Sequence, residues 1–434
     1  MTRPLRVRGR RGALAGDVVV PGDKSIAHRA LLLGALAEGT SVVRGIPSGA
    51  DVAATLGAVR TLGAGTRRNG DTVEIDGRGL ALGEGVDVAI DCANSGTTMR
   101  LGAGLVAGSH GRRTLDGDAS LRRRPMERVA EPLRRMGAVV RSADGHAPVV
   151  VDGGDLHGIT WRLPVASAQV KSAILLAGLR ARGRTVVTEP LATRDHTERM
   201  LRHMGVAVAS EGLQVSVGGG AALRPLRIAV SGDPSSAAFF IVAAVLAPGS
   251  ELRIRRVGTN PLRVGAVEIL RRMGARIELE RGGEEAGEPH ADLVVRAGEL
   301  RGTTIAAHEV PGAIDELPIL AVAGAFAAGE TRVEGAAELR VKESDRIGAL
   351  EQLRTFGVSI ETRPDGFTVH GDPARTLGGG SIATHGDHRI AMAFAIAGLR
   401  SRDGVVIDDP DCAGVSFPGF FDQLTALGGI VEGA

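Results

Sequence analysis

The 434-residue chain has no tyrosine, one tryptophan and two cysteines, and of its 52 basic residues only Lys24, Lys171 and Lys342 are lysine. Aromatics at 2% leave no stacking platform for nucleic-acid bases, and a net charge of +2 provides no polyanion-binding surface. Cys92 and Cys412 lie far apart and form no CxxC, which excludes a disulfide framework and a structural zinc site and fits a reduced, cytoplasmic compartment. The basic start MTRPLRVRGRRGALAG leads into no apolar h-region, so no secretory signal is expected. The longest apolar run, Leu317 to Gly329, has 13 residues, too few to span a bilayer. No GxxxxGK[ST] occurs, which excludes a P-loop. Gly102, Gly104 and Ala107 do spell GxGxxA, but within a helix rather than between a strand and a helix, so the dinucleotide reading fails.

What is present in excess is glycine, 63 residues, and its placement is periodic. A phrase recurs as TLGA, RRMGA, RHMGV, RRMGA, RTFGV and TALGG, around Gly63, Gly137, Gly205, Gly274, Gly357 and Gly428. The glycine spacings are 74, 68, 69, 83 and 71. Each phrase closes an amphipathic segment and is usually followed by a β-branched run, the pattern of a surface helix with a left-handed C′ residue leading into strands. Each unit also holds an earlier helix rich in small apolar residues: Ser25–Gly39, Ser95–Gly108, Ala168–Gly183, Ser235–Gly249, Asp315–Gly329 and His388–Gly398. One unit therefore reads strand, buried helix, strand, surface helix, strands. Six such units predict an α/β protein of two similar domains with three units each, divided near Ser231. Repeats of this length favour closed domains over an open superhelix.

The buried helices begin with the polar phrases GDKS, NSGTT, SAQ, GDPSS, DEL and GDHR. N-capping alone accounts for Ser235. It does not account for Lys24, Gln169 and Arg389, since the helix dipole disfavours a cation at its N-terminus. Helix N-termini with added cations are ready anion sites.

With NSGTTMR, RRPM, SAQVKSA, RVKESDR and GDHRIAMA following GDKSIAHRALLLGALAEG in order, the chain resembles the 5-enolpyruvylshikimate-3-phosphate synthase family from about Gly22 to Phe421. GDKS, NSGTT, SAQVK and RDHTE look like its class II subgroup, which includes glyphosate-tolerant members. The resemblance implies the enolpyruvyl transferase inside-out α/β barrel, two domains of three βαβαββ repeats. It places residues 21–231 in one domain and residues 1–20 plus 232–434 in the other, with a substrate cleft between them that closes on binding. It implies transfer of the enolpyruvyl group of phosphoenolpyruvate to shikimate 3-phosphate with release of phosphate, by addition and elimination. No metal or organic cofactor is needed, the partners are these two small molecules rather than nucleic acid or membrane, and the expected state is a monomer.

Carried over residue by residue, the resemblance assigns shikimate 3-phosphate to Lys24, Ser25, Arg29, Ser167, Ala168, Gln169, Asp315 and Lys342. Ala168 departs from the family's SSQ by one hydroxyl, and Arg194 in TRDHTE is a substitute ligand. Phosphoenolpyruvate is assigned to Lys24, Gly96, Arg124, Gln169, Arg346 and Arg389; guanidinium forks suit planar carboxylates and phosphates. Asp315 takes the proton of the 5-hydroxyl, Glu343 protonates the enol carbon, and Lys24 completes the catalytic set. Asp315 also reads as an N-cap. Lys171 is expected to serve helix packing, and Arg122, Arg123, Arg340 and Asp345 to be ordinary structural charges. Glu343 and Arg346 are three residues apart and share a face if RVKESDR starts a helix; Lys342 must then reach round or precede the first turn. A family lysine aligns with Val415, a departure that removes one cation. His385 and His388 lack a third ligand, so no metal is expected.

Two other readings compete. A transferase acting on a UDP-linked amino sugar usually carries a cysteine where this chain has GDASLRRRPM, and KN where it has KS. A silent anion-binding scaffold has no need of Lys24, Asp315, Glu343 and Arg346 together.

Overall fold

The computed structural model describes residues 3–9 and 12–434. Residues 1, 2, 10 and 11, assigned above to the second domain, lie outside the described residues. By internal contacts the chain forms two compact units. One is Gly22–Val230 with Glu284–Glu288; the other joins the residues up to Pro21 with Ser231–Gly283 and Pro289–Ala434. Each unit encloses its own apolar core.

The six repeats appear as six four-stranded sheets among the described residues. In the second repeat, strand Val88–Asp91 leads into helix Gly96–Ala107 and strand Gly111–Asp116, and the two strands pair in parallel. Parallel neighbours require such a crossover, and the helix supplies it. Surface helix Glu127–Met136 follows, then the antiparallel strands Val139–Ala143 and His146–Gly153. The first and fourth repeats exchange their leading strands. Ala15–Val18, just ahead of the first buried helix, pairs with Glu251–Gly258 of the fourth repeat. Arg227–Ala229, just ahead of the fourth buried helix, pairs with Glu38–Arg44 of the first. Leu5–Arg8 lies in the sixth sheet, between Val405–Ile407 and Ile430–Gly433.

The buried helices run Lys24–Ala35, Gly96–Ala107, Ala168–Gly178, Pro234–Leu246, Leu317–Ala325 and His388–Gly398. Pro234–Leu246 is buried at every position, as expected of a helix that is apolar all round. The surface helices bury one stripe: Val129, Ala130, Leu133 and Met136 in Glu127–Met136. All six repeat glycines have positive φ, from 83° at Gly357 to 113° at Gly137, the left-handed C′ conformation that ends a helix. The fifth surface element departs from the pattern: a short α-helix, Arg346–Leu350, continues as the 3-10 turns Glu351–Phe356.

Two expectations at the helix mouths are corrected. The cap of Pro234–Leu246 is Asp233, which accepts from the Ser235 amide at 2.8 Å; the Ser235 hydroxyl instead bonds Glu316 and Arg263. Asp23 and Asp387 cap the first and sixth buried helices in the same way. The fifth buried helix begins at Leu317 with Glu316 at the cap position and no side-chain cap, so Asp315 is not its N-cap. Pro318 explains the late start, because its ring collides with a helical carbonyl four residues back.

Gly102 and Gly104 serve packing. A β-carbon on Gly104 would lie 2.2 Å from the carbonyl oxygen of Ala173 in the neighbouring buried helix. Backbone meets backbone there, so no side chain can yield. Gly104→Ala is expected to destabilise its unit by about 1–3 kcal/mol, the usual cost of overpacking; an unchanged thermal midpoint would contradict the contact.

Candidate active site

In the Gly22–Val230 unit, hydrogen bonds bring the N-terminal ends of three buried helices together. Lys24, the first residue of its helix, places Nζ 2.8 Å from Asp51 Oδ2. Thr98, in the first turn of Gly96–Ala107, donates to the Asp51 carbonyl at 3.5 Å. Gln169 is the second residue of the third helix. Its Oε1 accepts from Arg100 Nη1 at 2.6 Å, and its Nε2 donates to Thr97 Oγ1 at 2.9 Å. Arg124 Nη2 donates to Asn94 Oδ1 at 2.5 Å. Gly96 lies beneath these guanidinium groups: a β-carbon on it would meet Arg100 Nη1 at 2.9 Å and Arg124 Nη1 at 3.2 Å.

Arg194 Nη1 approaches Ser25 Oγ at 3.4 Å. Ser167 caps the third helix, accepting from the Val170 amide at 3.4 Å, and Ala168 is the first helical residue. Arg29 is 3% exposed. Its Nε donates to Thr197 Oγ1, its Nη1 to the Ser25 carbonyl and its Nη2 to Ser172 Oγ. Burial pulls its guanidinium down to about 10. Behind Lys24, His28 Nδ1 pairs with Thr55 Oγ1 at 2.6 Å, and Thr55 with Thr98 Oγ1 at 2.6 Å. Burial pushes His28 down to about 3, so this histidine is neutral and adds no charge. Dipoles and cations thus converge on one face, an arrangement that attracts phosphate.

In the other unit, the centre is Arg346, which is fully buried. Its Nε donates to Asp387 Oδ2 at 2.8 Å, its Nη2 to Glu343 Oε2 at 2.6 Å and its Nη1 to Asp315 Oδ1 at 3.4 Å. Burial works against the charge, but Asp387, Glu343 and Asp315 outweigh it and hold Arg346 above the usual arginine value. Lys342 Nζ lies 3.5 Å from Asp315 Oδ1. Arg389 Nη1 donates to the Asp315 carbonyl at 3.0 Å and stands 3.7 Å from Glu316 Oε1. Asp387, which caps the sixth buried helix, also accepts from Ser344 Oγ at 3.0 Å. It thereby ties RVKESDR to GDHR.

RVKESDR is not a helix start. A 3-10 turn, Ala337–Val341, ends in extended Lys342, and the next helix begins only at Arg346. Glu343 and Arg346 therefore meet across a bend rather than along a helical face, because Asp345 takes the N-cap role and accepts from the Gly348 amide. Lys342 precedes the first turn. Arg340 pairs with Asp345 at 2.6 Å, and Arg122 with Asp116 at 2.5 Å on the surface. Val415 ends a 3-10 turn, Pro410–Val415. No helix among the described residues is long and apolar enough to cross a membrane.

Asp51, Arg100 and Asp387, like Glu316 beside Arg389, were absent from the expected site. Arg100 closes NSGTTMR and Asp387 stands in GDHR, so motif membership was a usable signal for both. Asp51 carried none.

The EPSP synthase (3-phosphoshikimate 1-carboxyvinyltransferase) family model matches residues 9–424. The chain belongs to the EPSP synthase family. It is 54% identical over 417 residues to the 3-phosphoshikimate 1-carboxyvinyltransferase of Alkalilimnicola ehrlichii, covering 95% of this chain and 93% of that one. It is 53% identical to the enzyme of the same name from Halorhodospira halophila, covering 97% and 95%. Among solved structures, EPSP synthase from Acinetobacter baumannii is similar at a TM-score of 0.88 and 43% identity, covering 99% of both chains. The enolpyruvyl transferase NikO from Streptomyces tendae shares the fold, at a TM-score of 0.79 and 20% identity.

Proposed function

We propose that this chain transfers the enolpyruvyl group of phosphoenolpyruvate to the 5-hydroxyl of shikimate 3-phosphate and releases inorganic phosphate. The observation that carries the chemistry is the attachment of two carboxylates, Asp315 and Glu343, to one buried guanidinium, Arg346. The reaction needs one group to take a proton from the hydroxyl and another to give a proton to the enol carbon. In addition, Asp315 removes the hydroxyl proton, the oxygen bonds to C2 of phosphoenolpyruvate, and Glu343 protonates C3. In elimination, C3 returns a proton, the C2–O bond to phosphate breaks, and the double bond re-forms.

Lys24, Ser25, Ser167, the Ala168 amide, Gln169 and Arg194 hold shikimate 3-phosphate, with Asp315 and Lys342 on its hydroxyl side. Arg29 contributes through the N–H groups that its protein contacts leave over. Lys24, Gly96, Arg124, Gln169, Arg346 and Arg389 hold phosphoenolpyruvate. Ala168 supplies no hydroxyl, and Arg194 beside Ser25 offers charge in its place. Localisation in the cytoplasm and a monomeric state complete the proposal.

The test is phosphate release by purified protein. Release is expected only with both substrates present, in step with enolpyruvyl product. No release with shikimate 3-phosphate, or release with UDP-N-acetylglucosamine instead, would overturn the reading.

A further inference from the structure

The remaining lysine has no part in that scheme. Lys171 is 1% exposed in helix Ala168–Gly178. Its Nζ lies 2.8 Å from Glu189 Oε2 and 2.8 Å from Glu198 Oε1, and it donates to the Thr193 carbonyl at 3.3 Å. All three acceptors belong to one short stretch. Glu189 follows strand Arg184–Thr188, and Glu198 stands in the first turn of helix His196–His203. Between them is Arg194. The stretch is also closed on itself, since Thr193 Oγ1 donates to Glu189. The neighbouring Ser172 Oγ pairs with Thr197 Oγ1 at 2.7 Å. Two consecutive residues of one rigid helix thus grip both ends of the segment that carries Arg194.

Burial works against the ammonium charge, but Glu198 and Glu189 outweigh it and hold Lys171 above its usual value. A compact ammonium donates along three tetrahedral directions, whereas the donors of a guanidinium all lie in one plane. This accounts for a lysine in a chain that otherwise uses arginine. A buried ion pair is a weak source of stability compared with well-packed apolar residues. A cation held by three acceptors does fix geometry.

We propose that Lys171 is a positioning residue: its ion pairs with Glu189 and Glu198 fix residues 189–195 so that Arg194 is aimed at the phosphate group received at Ser25. This rests on the reading of Arg194 as a ligand of shikimate 3-phosphate. The compensation for the hydroxyl missing at Ala168 then involves two residues, the arginine that supplies the charge and the lysine that places it.

The experiment is a double-mutant cycle in the full chain, with calorimetric titration of shikimate 3-phosphate and the Michaelis constant of each substrate. Glu189→Gln keeps the shape and the Lys171–Glu198 pair. It is expected to weaken shikimate 3-phosphate binding about tenfold, with the phosphoenolpyruvate constant unchanged. In an Arg194→Ala background it should add almost nothing, since residues acting through one network are strongly non-additive. Wild-type affinity in Glu189→Gln, or losses that multiply in the double variant, would overturn the proposal. Thr193→Val, which removes the hydroxyl closing the segment, gives the same reading should Glu189→Gln fail to fold. If the wild-type chain itself does not bind shikimate 3-phosphate, the proposed function falls and takes this inference with it. Binding by the wild type with an unaffected Glu189→Gln sinks the inference alone.

Discussion

Glu343→Gln is expected to lower turnover by about 10²–10⁴-fold, the usual contribution of a positioned general acid, while both Michaelis constants stay within a few-fold. The expectation follows from what the amide keeps and what it loses. Glutamine has the same length, and its oxygen can still accept from Arg346 Nη2, the contact that holds Glu343 at 2.6 Å. The bend between Lys342 and the helix starting at Arg346 therefore survives. What disappears is the exchangeable carboxyl proton. Steady-state rates with both substrates, alongside calorimetric affinities, separate these effects. Full turnover in the amide variant removes Glu343 from the donor role, and a large loss of affinity with turnover retained makes it a binding residue.

Arg346→Met has the second large effect, on the fold as well as the reaction. Removing one partner of a buried ion pair leaves an uncompensated charge and costs about 3–5 kcal/mol. Here the abandoned partner is Asp387, itself fully buried. Asp387 keeps its bonds from the Arg389 amide and Ser344 Oγ, so the sixth buried helix retains its cap and the chain still folds, less stably. The expected result is a lower thermal midpoint together with loss of activity. Arg346→Lys restores the charge without the fork, so it should recover much of the stability and little of the activity. Recovery of both in the lysine variant would show that point charge is sufficient and that planar, two-edged contact is not needed.

Much of the architecture was legible because it repeats. Gly63, Gly137, Gly205, Gly274, Gly357 and Gly428 announce a backbone conformation that few other residues adopt. The apolar helices could be found because burial on all sides leaves no polar stripe. The limits of that reading fall where an interaction is not local. Asp315 looks like an N-cap until Pro318 is taken into account. Ser235 looks like one as well, yet Asp233 occupies the cap position and frees the hydroxyl for Glu316 and Arg263. The exchange of leading strands between the first and fourth repeats is invisible to any local pattern, because Ala15–Val18 and Arg227–Ala229 are short segments with little to distinguish their partners. The Lys24–Asp51 pair was hidden for the same reason, its two residues coming from a buried and a surface helix of one repeat.

The occupancy of Arg346 changes how substrate entry must be understood. Every nitrogen of that guanidinium already serves a carboxylate of the protein. On the proposed assignment of Arg346 to phosphoenolpyruvate, the arriving carboxylate would meet no vacant clamp and would enter by anion exchange. Asp387 would keep Nε and with it the position of the group, while the two outer nitrogens would turn from Asp315 and Glu343 to the ligand. The residues proposed to move protons would then be released by the same event that seats the substrate, and would return to their tether when it leaves. Until then the protein would be its own competitive ligand, with the proposed acid and base tethered to Arg346.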